Sequence, residues 1–556
     1  MKVKVAVAQF DPKLGRVNEN MAIIRSLVTE AASRGACLVV LPEMATTGYL
    51  FRDRAEASPH AEVVPGPATG ALAALARESS IHVVAGLLEV DPASGFLYNT
   101  AVLVGPEGYL GKYRKTHPFF TDTRWAVDGD LGFPVFDLPF GRVGIMVCMD
   151  VSFFEVARAL SVAGAQVIAF PLNSRQPAPT EQWSVRAAEN GVYVMAANRT
   201  GFERGTRFSG GSAVLAPDGK VLASLGNEPG VALAGLDTVQ CGRDYWGYGA
   251  PVSSRRPETY YSLVLSPYTW SSAEVYNLDA AGNPSVVAVS YGGTAAQLRI
   301  AAESAWHRHM QARKSKPGVI LFPEKCLVDE SGQPSAVPGG EALAWGRQAA
   351  RDMDTALCFG FLEKEAGAVF NALAYVGPDE TTCVYRQVHV SPAERGSVAS
   401  GDSFRVVDAA WGRVGLAVGG DLFFPETLAC LSQMGADIVL AGARSGAGML
   451  GMMVRERSRS FNTHVAVAHL DRAPLLLPCS DAGAAGTSAG SSAGSTNAAT
   501  GEAPFTANLG LDSGIGTGDV SWTQFDCSAA STVRLKPAMK RRRPGLYHSL
   551  AVRQGE

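Results

Sequence analysis

Three side chains able to make and break an acyl bond stand far apart in the chain, each at the end of an apolar run. Cys148 closes GRVGIMV within GIMVCMDVSFFE, Glu43 follows VVLP within LPEMATTGY, and Lys115 follows the run containing Tyr113, within YRKTH. A thiol is a weak nucleophile until it loses its proton, so Cys148 needs a base and a cation beside it. Glu43 can take that proton. Lys115 can steady the thiolate and stabilise the oxyanion that forms when the thiol attacks a carbonyl carbon. Backbone N–H groups just after the cysteine, beginning with Met149 at a helix entrance, add to that stabilisation.

The string around the cysteine recurs without it, as GLAVGGDLFFPE. Matching landmarks keep a steady offset: Asn99 and Asn371 are 272 apart, Arg114 and Arg386 are 272 apart, and Asp150 and Asp421 are 271 apart. Earlier landmarks, Glu43 with Glu324 and Gln9 with Ser290, are 281 apart. The chain is an internal duplication in which Gly419 stands for Cys148 and Gln387 for Lys115. Gly419 cannot form a thioester and Gln387 carries no charge, so the second copy is expected to be inactive.

Those residues need strands to deliver them to one edge. In the first copy VKVAVAQF, ACLVVLPE, IHVVAGLLEV, LYNTAVLVG, GRVGIMVCM, QVIAFPLN and VYVMAANRT read as strands. NENMAIIRSLVTEAASRG, ATGALAALARESS, SFFEVARALSVAGA and TEQWSVRAAENG read as amphipathic helices, and GGSAVLAPDGKVLASL as a hairpin turning at Asp-Gly. Helices alternating with apolar strands imply an α/β protein in which helices cover sheets. The second copy repeats the order through SVVAVSY, LFPEKC, LCFGFLEKE, VFNALAYVG, GRVGLAVGGD and ADIVLAG. Domains are therefore expected at 1–264 and 284–556, joined by 265–283. The Gly/Ala/Ser/Thr run at 481–503 lacks core-forming residues and is expected to be a mobile surface insertion.

Composition removes several function classes. A chain of 556 residues with 47% hydrophobic and 18% charged content suits two soluble domains with substantial cores. A net charge of −3 gives no footprint for nucleic acid or a membrane surface. The one basic run, Lys540-Arg541-Arg542-Arg543, belongs to KRRRPGLYHSL, which matches SSRRPETYYSL at 253–263 and so reads as a structural tail. No uninterrupted apolar stretch of about 18 residues appears, so no membrane span is expected. The start, MKVKVAVAQF, runs directly into a strand without a leader pattern. Nine scattered cysteines form no CxxC pair, so neither a metal site nor disulfides are expected, and a reduced cytoplasmic setting fits.

Taken together, LPEMATTGY, YRKTH and VCMDVSFFE resemble the Glu–Lys–Cys signature of the nitrilase superfamily of carbon–nitrogen hydrolases, and the resemblance covers nearly all of both copies. It implies an αββα sandwich in each copy, commonly paired, so the tandem copies are expected to form an internal pseudo-dimer, with further homo-oligomers left open. It implies no cofactor and a thioester on Cys148, with water completing hydrolysis of a small-molecule amide to a carboxylate and ammonia or an amine. A second carboxylate, usually Glu in the family, falls on Asp122, seven residues after Lys115 and seven before Gly129. Asn173, at the end of AFPLN, and Glu189, in RAAEN, resemble further site elements. In the second copy Asp122 becomes Glu394 and Glu189 becomes Phe461. Met149-Asp150 after the cysteine resembles the amidase and carbamoylase branches rather than nitrilases, and Val151-Ser152-Phe153 lacks the basic residues carbamoylases place there. Acyl transfer to an amine, nitrile hydrolysis and a non-enzymatic scaffold stand as alternatives. His117 reads as structural. Loops around 117–130, 174–183 and 203–209 are expected to set specificity.

Overall fold

The computed structural model describes residues 2–264, 282–444, 448–477, 479, 505–508, 515–525, 527, 542–543 and 546–552. The 481–503 run, residues 265–281 and the basic pair Lys540-Arg541 lie outside them.

Within the first copy, two six-stranded sheets stack face to face. One runs in the order Gly230–Asp237, Lys2–Gln9, Leu38–Val40, His82–Val90, Leu97–Gly105, Gly108–Arg114. The other runs Val221–Ser224, Ala213–Leu215, Tyr193–Asn198, Val167–Leu172, Gly141–Ile145, Val135–Leu138. The central strands of both are parallel and buried on both faces, which is why VIAF and LVV are continuous apolar runs rather than alternating ones. Val5, Val7 and Leu38 meet Val143, Val167 and Met195 between the sheets. Ile24 and Leu72 pack helices Val17–Ser33 and Pro67–Ser79 on one outer face. Leu160 and Trp183 do the same for helices Phe154–Val162 and Glu181–Asn190 on the other. The result is the expected αββα sandwich.

The second copy repeats this layering. Its sheets are built around Ser285–Gly292, Val319–Leu321 and Ala356–Glu365, and around Gly412–Val418, Ile438–Ala443 and His464–His469. Register is kept as well: Val5 sits beside Leu38 and Val286 beside Val319, both pairs displaced by the same 281 residues. Among the described residues no helix is long and apolar enough to cross a membrane.

The compact units differ from the boundaries expected at 264 and 284. Residues 2–245, 250–253 and 546–550 form the first unit; 246–249, 254–264 and most of the chain from 282 onward form the second. The reason lies in buried polar partners, which a tail must satisfy wherever it docks. In the first unit the Tyr547 hydroxyl lies 2.7 Å from His117 Nε2. In the second, the Tyr260 hydroxyl lies 2.6 Å from His389 Nε2, and Arg255 Nε donates to Glu426 Oε1 at 2.7 Å with both side chains buried. Each tail thus belongs to the unit other than the copy it follows in sequence.

Candidate active site

Glu43 follows the short strand Leu38–Val40, and the chain turns sharply behind it, with Met44 at φ 52°. That turn lies against the adjacent strand at Gly86, where a Cβ would stand 2.3 Å from the Met44 nitrogen and 2.7 Å from Glu43 Cα. Only glycine allows that approach. Lys115 follows strand Gly108–Arg114, and its amide donates to the Asn99 carbonyl at 2.8 Å. Gly129 fits under the lysine backbone; a Cβ there would meet the Arg114 carbonyl oxygen at 2.0 Å.

These two positions and Asp122 converge on one ammonium. Lys115 Nζ donates to Glu43 Oε1 at 2.7 Å and to Asp122 Oδ2 at 2.6 Å, and all three side chains are fully buried. Asn99 Nδ2 donates to the same Glu43 oxygen at 2.7 Å. Burial pushes the Glu43 carboxyl above its ordinary value, against the pull of Lys115. Burial alone would depress Lys115, but the Asp122 and Glu43 charges hold it well above its ordinary value, so it stays an ammonium. Glu43 Oε2 and Asp122 Oδ1 are buried with no hydrogen-bond partner among the described residues. Such oxygens are costly to leave unmatched and are suited to receive a proton or a substrate N–H.

Cys148 begins a short 3-10 turn, Cys148–Ser152, and has φ 45°, a left-handed backbone that L-residues other than Gly, Asn and Asp rarely adopt. Burial pushes its thiol well above the ordinary value, and the Glu43 charge adds to that; Lys115 and the Asn173 backbone amide pull it down. A thiol raised in this way depends on a neighbouring base for its attack. Cys148 lines a cavity of about 260 Å³ together with Tyr49, Phe119, Asn173, Trp183 and Phe208. All three loops named from the sequence contribute, at Phe119 and Thr121, at 174–183, and at Thr206 and Phe208.

Among the other sequence-predicted residues, Met149 and Asn173 line the cavity, and both polar side-chain atoms of Asn173 are buried without a hydrogen-bond partner among the described residues. Glu189 does not line it. Its carboxylate accepts from Arg186 Nη1 at 2.6 Å, and Arg186 Nε donates to the Val151 carbonyl at 2.8 Å. From its helix Glu189 thus reaches the backbone of the Cys148 turn through Arg186. The His117 ring stacks on Phe153 with centroids 3.9 Å apart, and its Nδ1 lies 2.9 Å from Asp150 Oδ1. Two residues went unassigned in the sequence, Asn99 and Asp150. Their signal was their constant offset from Asn371 and Asp421, which marked register but not role.

In the second copy the frame persists and the charges are rearranged. Asn371 Nδ2 donates to Glu324 Oε2 at 3.0 Å and to Gln387 Oε1 at 2.9 Å. Gln387 Nε2 turns to the His389 carbonyl, and Glu394 pairs with Lys325 instead. A Cβ at Gly419 would sit 3.4 Å from Glu324 Oε1, so that position faces the carboxylate, yet Gly419 has no left-handed φ.

The model of the carbon–nitrogen hydrolase family matches residues 4–244 and 287–473. A nitrilase of Pyrococcus abyssi is 43% identical over 237 residues, 42% of this chain and 90% of that protein. An omega-amidase of Homo sapiens is 33% identical over 235 residues, 40% of this chain and 83% of that protein. Among solved structures, an amidase from Nesterenkonia sp. is similar at 27% identity and a TM-score of 0.41, over 46% of this chain and 94% of that one.

Proposed function

The chain belongs to the carbon–nitrogen hydrolase family, and from that membership we propose that its first copy is a cysteine amidase acting on small linear amides, with the second copy catalytically inactive. The observation that carries the reading is the buried Lys115 ammonium bridging Glu43 and Asp122 beside a cavity whose wall includes Cys148. In the proposed cycle Glu43 takes the thiol proton as sulfur attacks the amide carbon. Lys115 and the backbone after Cys148 offset the oxyanion, and Glu43 returns the proton to the departing ammonia or amine. Water, activated by the same carboxylate, then attacks the thioester and releases the acid. A raised Glu43 suits this exchange, because a base working near neutral pH can both accept and return a proton.

The cavity of about 260 Å³ suits a compact substrate. Arg175, an exposed cation on its wall, favours an ω-amide with a distal carboxylate, in keeping with the similarity to an omega-amidase. The test is ammonia release across a panel of neutral amides, acidic ω-amides and nitriles, with and without an added amine acceptor. Ammonia from amides that is abolished in Cys148→Ala supports the reading. Product only in the presence of an amine acceptor, or turnover of nitriles alone, would replace it.

A further inference from the structure

Residues 546–550 of the tail that follows the second copy lie in the first unit, and Tyr547 is fully buried there. Tyr547 and Leu550 pack against Ala159 and Val162 of the helix that begins just after the Cys148 turn. The hydroxyl of Tyr547 meets His117 Nε2 at 2.7 Å, while His117 Nδ1 lies 2.9 Å from Asp150 Oδ1. A carboxylate can only accept, so Nδ1 carries the proton, and in the neutral ring Nε2 accepts from Tyr547. Asp150 then gathers the two loops that bear the site. Its Oδ1 accepts from the His117 amide at 3.1 Å and from Thr116 Oγ1 at 3.1 Å, immediately after Lys115. Its Oδ2 accepts from the Val147 amide at 2.8 Å, immediately before Cys148, and from the Tyr113 hydroxyl at 2.8 Å.

We propose that Tyr547 is a positioning residue for the first-copy site, holding His117 so that Asp150 fixes Lys115 and Cys148 relative to each other. The second unit carries the same relay, from Tyr260 through His389 to Asp421 and the Val418 amide. The relay therefore belongs to the fold, and what differs is what it restrains. At Cys148 it closes a left-handed turn that persists only when its surroundings over-determine it. At Gly419 the backbone has no left-handed φ and bears no nucleophile. A tail distant in sequence thus completes the geometry of the first site, and the second relay serves as a built-in comparison.

The inference rests on Cys148 being the nucleophile, and the experiment separates the two. Full-length Tyr547→Phe, which deletes only the hydroxyl, is compared with Tyr260→Phe and wild type. Three readouts are taken: kcat and KM on an amide, the iodoacetamide alkylation rate of Cys148 mapped by mass, and the same rate at the half-buried Cys241. Expected for Tyr547→Phe is a kcat lowered roughly 3- to 10-fold, the loss of one hydrogen bond of ordinary strength, with KM unchanged. Cys148 alkylation slows by the same factor and Cys241 does not change, while Tyr260→Phe stays within about twofold of wild type throughout. Unchanged kcat and alkylation in Tyr547→Phe would overturn the proposal. So would an equal loss in Tyr260→Phe, or Cys148 and Cys241 accelerating together, which would mean general loosening. Intact mass of wild type quenched during turnover keeps the two apart: if Cys148 is not the nucleophile, no acyl adduct maps to Cys148, whereas failure of the relay leaves that adduct in place.

Discussion

Replacing Asp122 by asparagine removes one negative charge from the buried cluster while keeping its shape. Lys115 holds two carboxylates, at 2.7 and 2.6 Å, and the shorter contact is the one to Asp122. An amide oxygen can still accept from Lys115, but the interaction ceases to be charge-assisted on both sides. Hydrogen bonds to charged groups contribute roughly 1.5–3 kcal/mol, which corresponds to a loss between about 10- and 150-fold in kcat/KM if the bond positions the ammonium in the transition state. A second effect has a definite sign. Burial raises Glu43 and the Asp122 charge raises it further, so removing that charge lowers it. In the proposed cycle Glu43 works as the unprotonated base, so activity is lost as pH falls through its pKa, and in Asp122→Asn that acid limb moves to lower pH. The assay is ammonia release from the best amide of the panel, followed from about pH 4.5 to 9. A kcat/KM within roughly threefold of wild type together with an unmoved acid limb would refute the assignment of Asp122 as the carboxylate that places Lys115 and tunes Glu43.

Three further outcomes are expected. Glu43→Gln lowers kcat by about 10²- to 10⁴-fold, the usual contribution of a positioned base, as read by ammonia release from the best amide. Gly86→Ala pushes a methyl into the Met44 nitrogen at 2.3 Å and Glu43 Cα at 2.7 Å; thermal unfolding should show a loss of about 1–3 kcal/mol, and kcat should fall with it. The double substitution Cys148→Ala with Gly419→Cys restores neither turnover nor an acyl adduct, because Gln387 supplies no charge and donates to the His389 carbonyl; ammonia release and intact mass check this.

Much of the proposed Glu–Lys–Cys triad was legible from strand ends and from one comparison, that between the two copies. Glu43, Lys115 and Cys148 differ in whether the second copy retains them, while the strands that carry them recur with constant register. Asp122 was legible only through a resemblance, since an Asp in a polar loop has no periodicity of its own. For Glu189 the sequence pointed to a helix beside the site but not to its pairing with Arg186, three residues earlier. The two relays were the least accessible. Tyr260 and Tyr547 stood in matching tail strings, and His117 and His389 in matching loops, but hydrogen bonds spanning 129 and 430 residues leave no local pattern.

The central claim is that one cysteine per chain carries the acyl group. Intact-mass analysis of the full-length protein, quenched during turnover of an amide, measures this directly. The account predicts a single added acyl mass per chain, mapped to Cys148 and absent from Cys148→Ala. Two acyl groups per chain, or an adduct that survives Cys148→Ala, would contradict it.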